Sequence, residues 1–337
     1  MKKIFSVLFT LCIVAQLTAQ DIHLSQFFAS DHLLNPAKIG DFDGDFRFTA
    51  NYRNQWRQIN GNPLNTYIVS FDKAFHYYSH EIDGGIMVAR DEFTGFNVTT
   101  TKILLSGAYG YTTETGHNFR IGIQPGLVFR NSDISGQTFP SQWDYDQGEF
   151  LKDKPNNENS LNQSLTQFDL DMGIQWSKKF AKATPHVGIA VDHLNMPKDT
   201  YFNHYKERLR IRKVVHADLD YLLSEKLTLQ PKLLWMWTAK ANDMVVGTNV
   251  KYQLPNKTIT NIWAGVYYRN GVARIADAAI PVVGLSIKKF DLGFSYDVNI
   301  STLSTDVQSR RGTFEVSLIY TGASLKPKIK TLPCDRY

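Results

Sequence analysis

From Asp45 onward, apolar and polar residues alternate with period 2 in one segment after another. Successive side chains on a β-strand point to opposite faces, so this pattern gives each strand one apolar and one polar side. In 290–299, Phe290, Leu292, Phe294, Tyr296 and Val298 share one face, and Asp291, Gly293, Ser295, Asp297 and Asn299 the other. In 167–177, Phe168, Leu170, Met172, Ile174 and Trp176 oppose Gln167, Asp169, Asp171, Gly173, Gln175 and Ser177. Segments 119–130 and 313–320 repeat the pattern, with Arg120 and Glu315 on their polar sides. A soluble sandwich would bury the apolar faces between two sheets. A membrane barrel would turn them to lipid and the polar faces to its lumen.

Strand count, loop lengths and edges decide between these. Strands are expected near 45–56, 64–74, 81–91, 98–113, 117–131, 165–178, 184–194, 212–224, 226–239, 244–254, 260–269, 278–288, 290–299 and 312–321. That is about 14, an even number, with lengths near the ~10 residues of a tilted membrane-crossing strand. Alternate connections are short, while the long ones at 132–164, 195–211 and 300–311 all fall on the other side of the count. Outer-membrane barrels sort their loops in this way, with short periplasmic turns and long outer loops. An open sheet of this size would expose two unpaired edges, which lipid does not tolerate. The expectation is an all-β fold: a single transmembrane antiparallel β-barrel over 45–321 in the bacterial outer membrane, both termini periplasmic. Pro125, Pro231 and Pro281 conflict with continuous ladders, since proline lacks the donor, and mark bulges, strand ends or weak seams.

The chain ends read differently. Lys2 and Lys3 precede an apolar run from Ile4 to Val14, and Ala19 offers a small residue for cleavage. This predicts a signal peptide over 1–19, too short to span a bilayer as a helix. Phe9-Thr10-Leu11 before Cys12 lacks the small residues of a lipoprotein cleavage site. Removing the two lysines leaves 35 basic against 32 acidic residues, a net charge of +3 that gives no argument for nucleic acid. Cys334 is then the one remaining cysteine, so no internal disulfide forms. Residues 322–337, with Lys326, Lys328 and Lys330, read as a basic periplasmic tail.

Residues 20–44 form a segment ahead of the first strand. Asn35-Pro36 and Asp43-Gly44 are turn dipeptides, and Leu24, Phe27, Phe28, Leu33 and Leu34 need an apolar partner. The barrel mouth or lumen is the nearest. The words Gln20-Asp-Ile-His-Leu-Ser-Gln-Phe27, Leu33-Leu-Asn-Pro-Ala37, then Gly40, and Phe42-Asp-Gly-Asp-Phe-Arg47 with Asn51-Tyr-Arg-Asn-Gln-Trp56 recur in order. Through them the chain resembles the PorP/SprF family of type IX secretion system outer-membrane proteins. The motifs cover roughly an eighth of the chain; the rest agrees in length, signal and barrel pattern. Asp31-His32 departs from the more apolar pair of many relatives. The resemblance implies a non-enzymatic barrel that assists export or surface attachment of a secreted partner, such as a large adhesin used in gliding motility. It also implies contact with periplasmic machinery components, besides the outer-membrane lipids. It supplies no catalytic residue. The alternative is a porin or substrate-specific channel with Asp169, Asp171, Asp218, Asp220, Asp291 and Asp297 on its inner face.

Other constellations carry less. Asp41, Asp43 and Asp45 lack the closing glutamate of a calcium loop, because Tyr52 stands at that spacing. His76 and His80 lie in a turn and lack the helical zinc-binding context. No local signature joins a serine to a histidine, so no catalytic residue, cofactor or metal site is assigned. Tyr52, Trp56, Tyr67, Trp176, Trp235, Trp237, Trp263, Tyr267 and Tyr268 are expected in the aromatic girdles at the membrane interfaces. Arg208, Arg210, Arg212 and Lys213 are expected in a solvated outer loop or against lipopolysaccharide phosphate.

Overall fold

The computed structural model describes residues 21–55, 63–94, 97–133, 138–155, 164–200, 207–239, 241–270, 277–300 and 312–322. The sheet-forming segments become 14 barrel strands. They are β1 (Phe46–Gln55), β2 (Leu64–Lys73), β3 (His80–Phe93), β4 (Val98–Thr112), β5 (His117–Ser132), β6 (Ser164–Lys178) and β7 (Ala183–Asp192). Then follow β8 (Arg212–Leu222), β9 (Leu227–Thr238), β10 (Ala241–Gln253), β11 (Ile259–Asn270), β12 (Ala278–Ile287), β13 (Phe290–Asn299) and β14 (Thr313–Thr321). Only β10 starts clearly before its alternation does, at Ala241 rather than 244, because Ala241-Asn242-Asp243 carries no apolar face.

Each strand pairs antiparallel with the next, and β14 closes on β1 from Arg47↔Thr321 to Gln55↔Thr313. Closure pairs the two edges that an open sheet would expose. The side-chain faces then exclude the sandwich. In β13, Phe290 and Phe294 face outward at 43% and 45% exposure, while Ser295 and Asp297 point inward at 0% and 3%. Phe168, Ile174 and Val187 are likewise exposed, against buried Gln167, Asp169 and Gln175. An apolar outside and a polar inside is the arrangement that lipid requires.

The three prolines have one physical reading. Pro125 keeps its partner Leu170 in β6, but pairing with β4 skips from Leu104↔Gly126 to Gly107↔Ile123. Pro231 keeps Thr248 in β10, and pairing with β8 skips from Asp218↔Lys232 to Tyr221↔Leu229. Pro281 keeps Val266 in β11, and pairing with β13 skips from Ala279 to Val282. Each missing donor therefore interrupts one of its strand's two ladders and leaves the other whole.

β1 starts and β14 ends at the same end of the barrel, here the strand-terminal end. Connections at that end are short: 74–79, 113–116, 179–182, 223–226, 254–258 and 288–289. The long connections 133–163 and 193–211 lie at the opposite end. The expected signal peptide, the tail after Gly322, Cys12, Cys334 and Trp56 fall outside the described residues.

Candidate functional site: a plug inside the barrel

The segment before β1 does not stay at a barrel mouth; it fills the lumen. It contains three short helical turns at Phe27–Ala29, Asp31–Leu34 and Pro36–Lys38. Asn35 starts the last turn: its Oδ1 accepts the Ala37 N–H at 2.9 Å, and Pro36 supplies a pre-set first position. Gly40 then reverses the chain at φ +80°, a conformation open to glycine.

Charged groups hold the upper part of this plug. Ser25 and Gln26 donate their N–H groups to the two oxygens of the Glu315 carboxylate, at 2.7 and 2.8 Å. Arg53 pairs with the same carboxylate. Ser25 Oγ donates to Asp297 at 2.7 Å and accepts from Arg53 at 2.8 Å and Arg269 at 3.0 Å. Gln26 is matched by Ser295, Ser317 and the Glu315 carbonyl. Arg53 and Glu315 are each 2% exposed, so these charges depend on one another rather than on water.

Lower down, Asp31 bonds Arg47 at 2.5 Å, and Arg47 also meets Asp72 at 2.6 Å. Lys38 bridges Asp31 and Asp218, both at 3.6 Å. Burial opposes the Asp31 charge, but Lys38 and Arg47 outweigh it and hold its carboxyl below the usual value. Burial moves His32 the other way, down to about 4, so this ring is neutral at pH 7. Arg120 on β5 reaches the carbonyls of Ala37 and Ile39, and pairs with Glu81 and Asp83.

Shape holds the middle. Gly122 of β5 and Gly173 of β6 face Pro36 and Asn35, and a Cβ on either would overlap them. At Gly122 the plug backbone, and at Gly173 the Asn35 side chain, therefore approaches the wall as only glycine allows. Asn35 Nδ2 bonds the Ile174 carbonyl at 3.0 Å and His216 Nε2 at 2.9 Å. Apolar side chains complete the fit in two clusters. Phe27 and Leu34 pack with Val214, Leu234, Val245 and Ile280, and Phe28 stacks on Tyr267 at 5.4 Å. Ile22 and Leu24 pack with Ile68, Met87, Ala89 and Leu104. Two cavities among the described residues each measure about 20 Å³, room for about one water.

The plug also runs the length of the lumen. Asp21 contacts Lys102, His193 and Arg212 near the end with the long connections, whereas Asp45 meets Gly322 at the strand-terminal end. Asp21 therefore lies at the opposite end from Gly322, whereas the expectation put the start of the mature chain and the end of β14 on the same side.

The words quoted from 20–58 are the ones that dock the plug. Ser25 and Gln26, Asn35 and Pro36, and Arg47 and Arg53 come from successive words, and Gly40 donates to Asp72 at 3.0 Å. Six of the expected girdle aromatics do face outward: Tyr52, Tyr67, Trp176, Trp235, Trp237 and Tyr268. Trp263 and Tyr267 do not. Both point inward against Phe28, because they share a parity with the buried Arg269. Arg212 is corrected too: it turns inward to Asp192 at 2.6 Å, while Arg208, Arg210 and Lys213 stay exposed. Of the expected inner carboxylates, Asp218 pairs with Lys38 and His186, Asp220 with Gln230, Asp291 with Ser286 and Asp297 with Arg269. Asp169 and Asp171 gather at His193. His80 meets the Tyr109 hydroxyl at 2.7 Å, and Asp41 accepts from Gln175. Of the key wall residues, Arg120 and Glu315 were visible in sequence only as polar-face members, and Arg53 only within the word Asn51–Trp56. Nothing local named their partners, which lie up to 290 residues away.

The sequence profile described as "Type IX secretion system membrane protein PorP/SprF" matches residues 16–320. No curated protein matches the chain. Among solved structures, the CymD monoaromatic hydrocarbon channel is similar at 10% identity and TM-score 0.52, over 88% of this chain and 92% of that one. The Pseudomonas putida toluene transporter TodX is similar at 8% identity and TM-score 0.50, over 90% and 94%. At such identities the likeness shows the fold, an outer-membrane barrel.

Proposed function

Because the chain belongs to the PorP/SprF family of type IX secretion system membrane proteins, we propose that it acts as a closed scaffold in the outer membrane rather than as a pore. The observation that carries this reading is the plug. A 14-stranded barrel encloses a pore unless something fills it, and here residues 21–45 bond or pack against walls from β1 to β14. A secretion component of this kind contacts the machinery and its cargo. The finer proposal is that it assists export or surface attachment of one secreted partner, such as a large adhesin, with a link to gliding motility. The exposed apolar wall meets outer-membrane lipids. The strand-terminal end and the basic tail 322–337 face the periplasm and its machinery components. The long connections, chiefly 132–164, then stand outside and hold the partner, and Asp21 lies toward the surface.

Deleting the gene and quantifying adhesins on intact cells tests the partner role. The expected result is loss of one adhesin from the surface with other secreted proteins retained. Full surface display of every adhesin would refute it. Single-channel recording in planar bilayers tests the closed scaffold: no steady conductance is expected, and a stable open level would support the channel alternative instead.

A further inference from the structure

Asp21, the first described residue of the plug, lies beside a group of buried charges. Asp169 and Asp171 lie on the lumenal face of β6, and His193 follows β7. One ligand atom from each of the three lies within 4.8 Å of the other two, and all three residues are buried. His193 Nδ1 stands 2.8 Å from Asp169 Oδ1, and the His193 N–H donates to Asp171 Oδ1 at 2.9 Å.

The charges do not balance. Lys102 pairs with Asp21 at 2.9 Å, and Arg212 pairs with Asp192 at 2.6 Å. Among the described residues no lysine or arginine nitrogen lies at ion-pair distance from Asp169 or Asp171, and Lys102 and Arg212, which act on them from farther off, are already engaged by Asp21 and Asp192, although Asp171 is only 6% exposed. One imidazolium offsets one carboxylate; a divalent ion offsets two. A buried carboxylate without a counter-charge is costly unless it takes up a proton, finds a partner or coordinates a metal ion. The same residues line one of the cavities of about 20 Å³. A second residue of the plug, His32, also lines it; its ring is 2% exposed and its Nε2 has no partner among the described residues.

We propose that Asp169, Asp171 and His193 form a site for one divalent transition-metal ion of the zinc type. Imidazole with carboxylate oxygens is a zinc-type donor set, and the cavity leaves a position open for water. The ion takes the place of the proton between His193 Nδ1 and Asp169, releasing that proton. Asp21 fits the arrangement from the opposite side: it lies 2.8 Å from His193 Nε2. A ligating histidine usually donates its other N–H to a carboxylate, which fixes the ring. Here that carboxylate belongs to the plug, so metal binding and plug docking reinforce each other.

The test uses the whole mature protein in detergent, stripped with chelator and titrated with Zn²⁺ alone by calorimetry, with bound metal counted by mass spectrometry. One Zn²⁺ per chain is expected. Asp171→Asn and Asp169→Asn should each weaken it at least 100-fold, and Asp21→Asn about 10–100-fold through the lost orienting bond. Ca²⁺ should bind at least 100-fold more weakly than Zn²⁺, since it gains little from imidazole. Co²⁺ in place of Zn²⁺ should give visible absorption that His193→Gln alters, a signature that a misfolded variant cannot imitate; retained heat-modifiable gel migration shows that each variant folds. Absence of bound Zn²⁺, or equal binding by the native chain and Asp171→Asn, would overturn the proposal. So would Zn²⁺ lost on replacing the exposed His80 but kept in Asp171→Asn.

Discussion

At Ser25 and Gln26 the plug is held by charge, and at Asn35 to Ala37 by shape. The first grip draws on Glu315, Arg53, Asp297 and Arg269, each able to pair only because the others are present. The second draws on Gly122 and Gly173, which contribute nothing but the absence of a side chain. The difference shows how each grip fails. A buried ionic network fails when one member is removed, because its partners are stranded away from water. A glycine cradle fails when a single atom is added.

The largest effect should come from the first grip. Glu315→Ala leaves Arg53 without its main partner and two plug N–H groups unpaired. A loss of about 3–5 kcal/mol is expected, with a lower unfolding midpoint and intermittent conductance as the plug leaves. An unchanged midpoint would mean that the charge grip carries no weight. Next, Gly122→Ala should cost about 1–3 kcal/mol, since backbone rather than a flexible side chain stands in the way. Its readout is protease cleavage within 21–45, which the native chain should resist. If Gly122→Ala opens the plug more than Glu315→Ala does, shape is the stronger grip.

Acid tests a third contact, that of Asp31 with Arg47 and Lys38. The Asp31 carboxyl titrates below its unfolded value of about 3.9, so its stabilisation is present above that pH and is lost as pH falls through the folded value. Plug protection should hold from pH 7 to about 5 and decline below about 4, in the native chain more than in Asp31→Asn. Equal acid profiles would exclude Asp31 from docking. The smallest effect belongs to the long connection: Lys154→Ala removes a pair with Asp144 at 2.7 Å on a side chain 42% exposed. No measurable change in the unfolding midpoint is expected, with plug protection untouched.

Much of this fold was legible early because a barrel in lipid writes its strands into the alternation. Phe290 to Asn299 shows its two faces residue by residue, and every strand was located from such segments. Parity was enough to point Asp169 and Asp297 inward. It failed for Trp263 and Tyr267, whose ring chemistry suggests an interface while their register faces the lumen. Arg212 misled for the same reason: four basic residues in six positions read as a surface run, yet strand register turns one of them inside. The docking words were seen, and the need of Phe27 and Leu34 for an apolar partner was seen, but not how deep they go.

The sequence by itself determined the membrane barrel, its strand count and the family, because period-2 patterning, connection lengths and local words are all properties of neighbouring residues. Only the tertiary structure decided that the lumen is filled and that Asp21 lies at the far end. The contacts responsible join Ser25 to Glu315, Asn35 to His216 and Asp21 to His193, across separations of 290, 181 and 172 residues. Such pairs exist only once the sheet has closed and set the strands side by side around the plug.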